Sequence, residues 1–173
     1  MVKEAMLPAE SISIEEPEAT YHLARGATVT LERTAHPNYP GSGARTLTDG
    51  ILGEGSFRSP HWLGFLGEDL LATVHLGEPV TIQRVELTTV TSHSAGIHAP
   101  QSVRIEYSKD GKRFFDGGFA QRSDSNETWI WNSPAIESVR AVRLHGKNIG
   151  TIPAGHPGEG TPGWLFVGEI LVR

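Results

Sequence analysis

The 173-residue chain contains no cysteine. Disulfides, thiolate catalysis and cysteine-based zinc sites are therefore excluded. Long apolar runs are missing as well: no stretch approaches the roughly 18 consecutive apolar residues of a membrane-spanning helix. The opening Met1-Val2-Lys3-Glu4-Ala5-Met6 lacks the apolar core of a secretory leader. Positive charge is in short supply, with 15 Lys and Arg against 20 Asp and Glu and a formal net charge of −5. An acidic chain of this kind is a poor match for nucleic acid or anionic lipid. Catalytic signatures are absent too. There is no G-x-S-x-G elbow, no phosphate-cradling G-x-x-x-x-G-K-[ST], and no HExxH or HxH metal motif. Glycoside hydrolysis needs two carboxylates at a defined separation. The acidic residues here lie mostly on strand exteriors (Glu86, Glu106) or in the N-terminal segment, so independent catalysis is not expected.

What remains is ordinary globular composition, 38% hydrophobic and 20% charged, with Gly 20 and Pro 11 both high. At this length one domain with a sizeable core is expected. Residues 1–20, with the acidic stretch Ala9–Glu18, read as a linker or leading edge segment, and residues 21–173 as the domain. Many short alternating segments follow. Ala27–Glu32 is rich in β-branched residues. Asp69–Gly77 puts Leu70, Ala72, Val74 and Leu76 on one face. Val80–Ile82 and Val85–Leu87 alternate out of phase across Gln83-Arg84, as a bulge produces. Val103–Ser108 is the cleanest strand, and Asp110-Gly111 after it predicts a type I′ hairpin returning through Phe114-Phe115. Val142–His145 and Trp164–Val172 close the series. Gly41-Ser42-Gly43 reads as a turn, and at most one helical turn is expected near Leu47–Gly50. No segment carries a capped long helix, so the expected class is all-β: an antiparallel β-sandwich or jelly roll with long loops.

Five pieces in order sharpen this reading. They are Leu23–Gly26; Leu47-Thr48-Asp49-Gly50 with Gly53 and His61–Phe65; Thr73–Gly77; Ser108–Phe114; and Phe166-Val167-Gly168-Glu169-Ile170. Together they resemble the factor V/factor VIII type C, or discoidin-like, domain, a galactose-binding-like fold shared by family 32 carbohydrate-binding modules. The resemblance covers about residue 20 to the end. Tyr39–Gly43, Trp62–Leu70, Lys147–Gly150, His156–Gly158 and Trp164–Phe166 are further similar to the accessory domain that follows the catalytic domain in bacterial β-N-acetylhexosaminidases and related exo-glycosidases. Two positions depart from the pattern. His75 stands where the family often has Asp, a change expected at the surface. Gly168 stands where the subgroup has Asp, removing an acidic group beside Glu169.

The resemblance implies a structural calcium ion. Carried over residue by residue, its ligands are the carbonyls of Ala44 and Ile51, the Asp49 side chain, Glu54 in place of a hydroxyl residue, and Glu169, with the Val167 carbonyl nearby. Hard Ca²⁺ takes such oxygen-rich sets. The alternative is an Asp-Gly turn in which Asp49 caps backbone amides and Glu169 is solvated. The resemblance also places a sugar site on loops at one end of the sandwich, here about Gly53–His61, Thr91–Ala99 and Gly150–Pro162. Their candidate contacts are Phe57, Arg58, His61, His93, His98 and His156, imidazoles and a guanidinium for hydroxyls and an aromatic face for a pyranose. Trp62 and Trp164, inside apolar motifs, read as core. The small residues around His93 and His98 argue against tight stacking. His93 and His98 with His61 or His156 form a transition-metal site only if the loops meet. Asn126-Glu127-Thr128 matches a glycosylation acceptor.

The implied role is a non-catalytic carbohydrate-binding module of a larger secreted or cell-surface bacterial glycoside hydrolase. It would tether the linked catalytic domain to glycan outside the cell or in the periplasm. The rival is a structural domain packed on the catalytic domain, with no sugar binding of its own.

Overall fold

The computed structural model describes residues 20–54, 56–125 and 127–173. The acidic N-terminal segment and Asn126 of the acceptor tripeptide lie outside them. Nine strands run through the described residues: β1 (Thr28–Leu31), β2 (Gly41–Ala44), β3 (Leu63–Leu66), β4 (Leu70–Val90), β5 (Ser102–Ser108), β6 (Phe114–Phe119), β7 (Gln121–Arg122), β8 (Thr128–Lys147) and β9 (Trp164–Val172). Their pairing is antiparallel throughout, and the all-β sandwich expected from the sequence is what forms.

Two long strands build both layers. The first half of β4 pairs with β1 and with the last part of β8, which in turn pairs β5; β6 closes that layer. The second half of β4 pairs with the first part of β8 and with β9; β3 and β7 flank them. The crossing lies where the β4–β8 register slips, between His75 and Val80, Val80 and Ile82, and Ile82 and Arg84. Bulges bend and twist a strand, so they let one strand serve two sheets. Ser138, the one non-glycine residue with positive φ (60°) among the described residues, sits on β8 at the same bend. The segments read in the sequence as Asp69–Gly77, Val80–Ile82 and Val85–Leu87 merge, from Leu70 on, into one strand of 21 residues, and the phase shift across Gln83-Arg84 is absorbed as the bulge the alternation predicts.

Alternation does the packing. Leu70, Ala72 and Val74 of one layer and Val85 and Leu87 of the other are all essentially inaccessible. They meet Val103, Ile105, Val142 and Leu144, and Val167, Ile170 and Val172, in one continuous core. The exposed face carries cross-strand pairs such as Glu106 and Arg143, opposite each other on β5 and β8. The Arg143 fork donates to both Glu106 oxygens (2.8 and 3.1 Å) and lies over the Phe114 ring at 4.0 Å. These hydrogen bonds hold the Glu106 carboxyl below the usual glutamate range.

One turn differs from expectation. The β5–β6 hairpin forms, but not as type I′, which needs positive φ at both central residues. Gly111 takes φ 77° and Asp110 does not take a positive φ. Instead Asp110 Oδ1 accepts the amides of Lys112 and Arg113, both at 2.8 Å, and this side-chain cap sets a longer loop. The expected Gly41-Ser42-Gly43 turn forms within β2, closed by Gly43 N–H donating to the Pro40 carbonyl (2.8 Å), with Gly41 and Gly43 at positive φ (49° and 73°). The helical turn is a 3-10 piece at Arg45–Leu47.

Candidate functional site

Two places bring the candidate residues together. The first is where the start of the domain meets the last strand. Glu169 on β9 is fully buried, in a strand that is buried throughout after Trp164. Its Oε1 accepts from Gly50 N–H (2.8 Å) and from His22 Nε2 (2.7 Å). His22, also buried, accepts at Nδ1 from the amides of Ala24 (3.2 Å) and Val172 (3.4 Å). With Nδ1 used as an acceptor, the proton belongs on Nε2, and the imidazole donates to the carboxylate. Glu169 Oε2 is buried without a hydrogen-bond partner. Burial pushes the Glu169 carboxyl above the usual glutamate range, against the pull of the His22 and Gly50 hydrogen bonds. The Asp49 carboxylate adds to the rise.

The solvated Glu169 of the simpler alternative is thus overturned. Its other half stands, because Asp49 Oδ1 does cap the Ile51 amide (2.8 Å). Ala44 leads into the 3-10 turn and is half-buried, as is Ile51. Val167 is buried on β9 and pairs with Leu63 and Thr89. Glu54 is exposed and lines a separate groove with Trp62 and Glu127. His22 was missed in the sequence. The signal available, an apolar-flanked histidine just before Leu23–Gly26, does not single out a residue paired 147 positions away.

Gly168 has a physical explanation. A Cβ there would lie 2.6 Å from Thr88 Oγ1 and 3.0 Å from Trp62 Cζ3. The indole fills the space an aspartate would need, and Thr88 Oγ1 instead accepts the Glu169 amide (2.7 Å). His75 is exposed and hydrogen-bonded to Thr30 Oγ1 (2.9 Å), as a surface replacement should be.

The second place is the loop end. Ile97 bridges to Ser92 and, in parallel, to Trp164. Trp164 N–H donates to Gly96 (2.9 Å), and His98 N–H donates to Trp164 (3.0 Å). The loop after β8 is closed by Gly163 N–H donating to Gly150 (2.8 Å) and by the Thr151–Pro162 bridge. Asn148 anchors it from below: its side-chain amide faces the carbonyls of Phe65, Glu68 and Gly163, its Oδ1 accepts Gly150 N–H, and its own amide reaches Asp69. So the two loops meet, and three of the histidines meet with them. His93 stacks on His98 with centroids 4.5 Å apart. His156 stands edge-on to both, at 4.9 and 5.2 Å. A shallow groove of about 270 Å³ runs beside them, lined by Ser94, Gly96, Ile152, Pro157, Thr161 and Trp164.

The other three candidates are arranged differently. Phe57 packs edge-on against Tyr39 and Phe166 in a small aromatic cluster with Trp62 and Ile97, and so serves as packing more than as an open platform. Arg58 is exposed, its guanidinium 5.5 Å from the Phe57 centroid. His61 does not join the other histidines; its amide donates to Ser59 Oγ (3.2 Å). Trp62 is buried as expected, and Trp164 is partly buried between His36, Tyr39 and Phe166. A larger groove of about 510 Å³ was not anticipated: Arg84, Gln121, Arg122, Trp131 and Asn132 line it beside Phe119, which is 60% exposed. Its residues come from β4 and β6–β8, and only the fold joins them.

No protein-family model and no curated protein matches the chain. Solved structures do match. The lectin domain of lectinolysin, complexed with Lewis B antigen, aligns with a TM-score of 0.61 at 15% identity, covering 90% of this chain and 98% of that one. Chitosan-binding module 1 of a chitosanase/glucanase from Paenibacillus sp. IK-5 aligns with a TM-score of 0.57 at 18% identity, over 88% and 98% of the two chains. CpGH89CBM32-5 from Clostridium perfringens, in complex with GalNAc-β-1,3-galactose, gives 0.57 at 16% identity, over 88% and 99%. These likenesses span nearly the whole of each neighbour, and they establish that this chain has the β-sandwich fold of those modules.

Proposed function

We propose that this chain is a non-catalytic carbohydrate-binding module whose glycan seat is the loop end around His93, His98 and His156. The observation that supports this most directly is the meeting of the Thr91–Ala99 and Gly150–Pro162 loops over a shallow groove, with imidazoles from both loops beside it. Neutral imidazoles give and accept hydrogen bonds to hydroxyls, and Arg58 adds a charged donor on the neighbouring loop. Few anchors and an open site imply weak binding. A weak module still raises the effective concentration of a linked catalytic domain at its glycan, which fits an accessory domain of an extracellular or periplasmic bacterial glycoside hydrolase, of which a β-N-acetylhexosaminidase is one case.

The proposal includes a structural calcium ion at Asp49 and Glu169. The unpartnered, buried Glu169 Oε2 supports it, since such an oxygen costs stability unless a cation or donor reaches it. The carbonyls of Ala44 and Ile51 and the Asp49 carboxylate would complete an oxygen set suited to a hard cation. Glu54, exposed at a neighbouring groove, belongs to this set only through its backbone.

A second reading has its own observation. Two phenylalanines that face solvent, Phe115 (40%) and Phe119 (60%), lie on β6 and not at the histidine end. A structural domain docked on its enzyme through β6 would look like this.

The test is thermal unfolding and titration calorimetry in calcium, over galactose, N-acetylgalactosamine, N-acetylglucosamine and their oligosaccharides. One sugar should raise Tm, and His156→Ala should weaken its binding at least about tenfold, some 1.4 kcal/mol. Calcium should raise Tm, and Asp49→Ala should abolish that rise. A calcium response with no response to any sugar would replace the module reading with the structural one.

A further inference from the structure

Three imidazoles that face one another, and no acidic group joining them, make an unusual arrangement for a surface loop. One ring nitrogen each from His93, His98 and His156 lies within 4.8 Å of the other two. No other group of three or more His, Asp or Glu among the described residues comes this close. Histidines are often accounted for by a carboxylate or backbone partner. That is so for His22 with Glu169 and for His145 with Asp69 (2.7 Å). The loop trio has no such account: His98 is only 7% exposed and its Nε2 is buried with no hydrogen-bond partner.

We propose that His93, His98 and His156 form a binding site for a divalent transition-metal ion of the zinc class. Three imidazoles are a sufficient protein ligand set for Zn²⁺, with the fourth position left to water or to an oxygen of a bound ligand. The absence of carboxylate and thiolate from the set favours borderline metals over Ca²⁺ or Mg²⁺, which take oxygen. Zinc–nitrogen bonds of about 2.0–2.1 Å in a tetrahedron put ligand nitrogens about 3.4 Å apart. The separations of up to 4.8 Å must therefore close by roughly 1.4 Å. The parallel stacking of His93 on His98 (19° between planes) must also open. His93 is exposed at the start of a 3-10 turn, so it is free to make that rotation. His98 is held by the Trp164 backbone, and its loop by the Ile97 bridges, so it is the fixed member. Bound metal would staple the loop before β5 to the loop before β9.

This inference does not rest on sugar binding, and its test uses no sugar. The tag-free chain, stripped with chelator and dialysed, is titrated with Zn²⁺ by calorimetry, with Ca²⁺ as a comparison and Co²⁺ for its visible spectrum. The expected result is one Zn²⁺ per chain at micromolar affinity or tighter and a tetrahedral Co²⁺ spectrum. His93→Ala and His156→Ala should each weaken binding at least tenfold, and His61→Ala should leave it unchanged. His93 is exposed and His156 partly exposed, and the metal-free Tm of each variant reports that it is folded. Equal Zn²⁺ affinity in wild type and in both loop variants overturns the site. So does binding with no defined stoichiometry, or an octahedral Co²⁺ spectrum.

Discussion

The molecule holds two buried histidines, His22 and His98, and their surroundings are opposites. His22 has every ring nitrogen engaged: Nδ1 takes two backbone amides and Nε2 meets Glu169. Its partners are main chain and one carboxylate, all fixed by the ends of the sandwich. His98 has a buried nitrogen with no partner and two imidazoles for neighbours, brought there by loops. A satisfied polar group holds the fold, whereas an unsatisfied one beside movable side chains is where a ligand has something to gain. Around Glu169 the two cases overlap, for Oε1 is part of the pin and Oε2 is free. That is why a hard cation is proposed there and a borderline one at the loops.

If the pin region is structural, changes to it should cost the most. Gly168→Asp should be the most damaging single substitution considered. Its Cβ would meet Thr88 and Trp62 well inside contact distance, and its carboxylate would enter an apolar wall. Overpacking alone costs about 1–3 kcal/mol and an uncompensated buried charge adds to it, so about 4 kcal/mol or failure to fold is expected. Urea denaturation measures it. A milder loss would mean that Trp62 yields, and that the glycine does not keep acid out of the site.

His22→Ala comes next. It removes a donor from Glu169 and leaves the Ala24 and Val172 amides buried and unpaired. About 3 kcal/mol is expected from those orphaned groups. Asp49→Ala, in the same region, frees only the half-buried Ile51 amide and should cost about 1 kcal/mol without metal. Measured in chelator, the two variants separate the pin from the proposed ion. If Asp49→Ala costs as much as His22→Ala there, Asp49 holds the fold directly and calcium is not needed to explain it.

How much of this was legible follows from what sequence periodicity can carry. Trp164–Val172 was read at its true bounds, as a nearly continuous apolar run buried throughout, and Val103–Ser108 to within one residue, because it alternates against the core. The first part of β8, with Trp129 and Trp131 buried, was not read at all. It is interrupted by Asn132, Ser133 and Pro134 at the bend, and a strand that changes layers does not keep one phase. The Asp49–Glu169 juxtaposition was reachable through the resemblance alone, and His22 not at all, since nothing local marks a pair 147 residues apart. At the loops the residues were visible but their grouping was not. His61 and His156 were equal partners for His93 and His98 until the Ile97–Trp164 bridge set which loop lies alongside.

The smallest expected effect is the most telling about the loops. His93 is exposed, makes ring contacts with His98 and His156, and has no hydrogen bond to a buried group. In metal-free protein His93→Ala should change stability by no more than about 0.5 kcal/mol, the ordinary range for a surface position. Removing it also removes one of the two imidazoles that lower the pKa of His98. Any stability change should therefore be neutral or slightly favourable. The backbone that shapes this loop, from Ser92 to His98, is held by Ile97 and Trp164 and does not use the His93 ring. A loss of 2 kcal/mol or more would show that the stacked rings are packing for the loop. The contrast with His22 would then disappear, because both histidines would be structural pins.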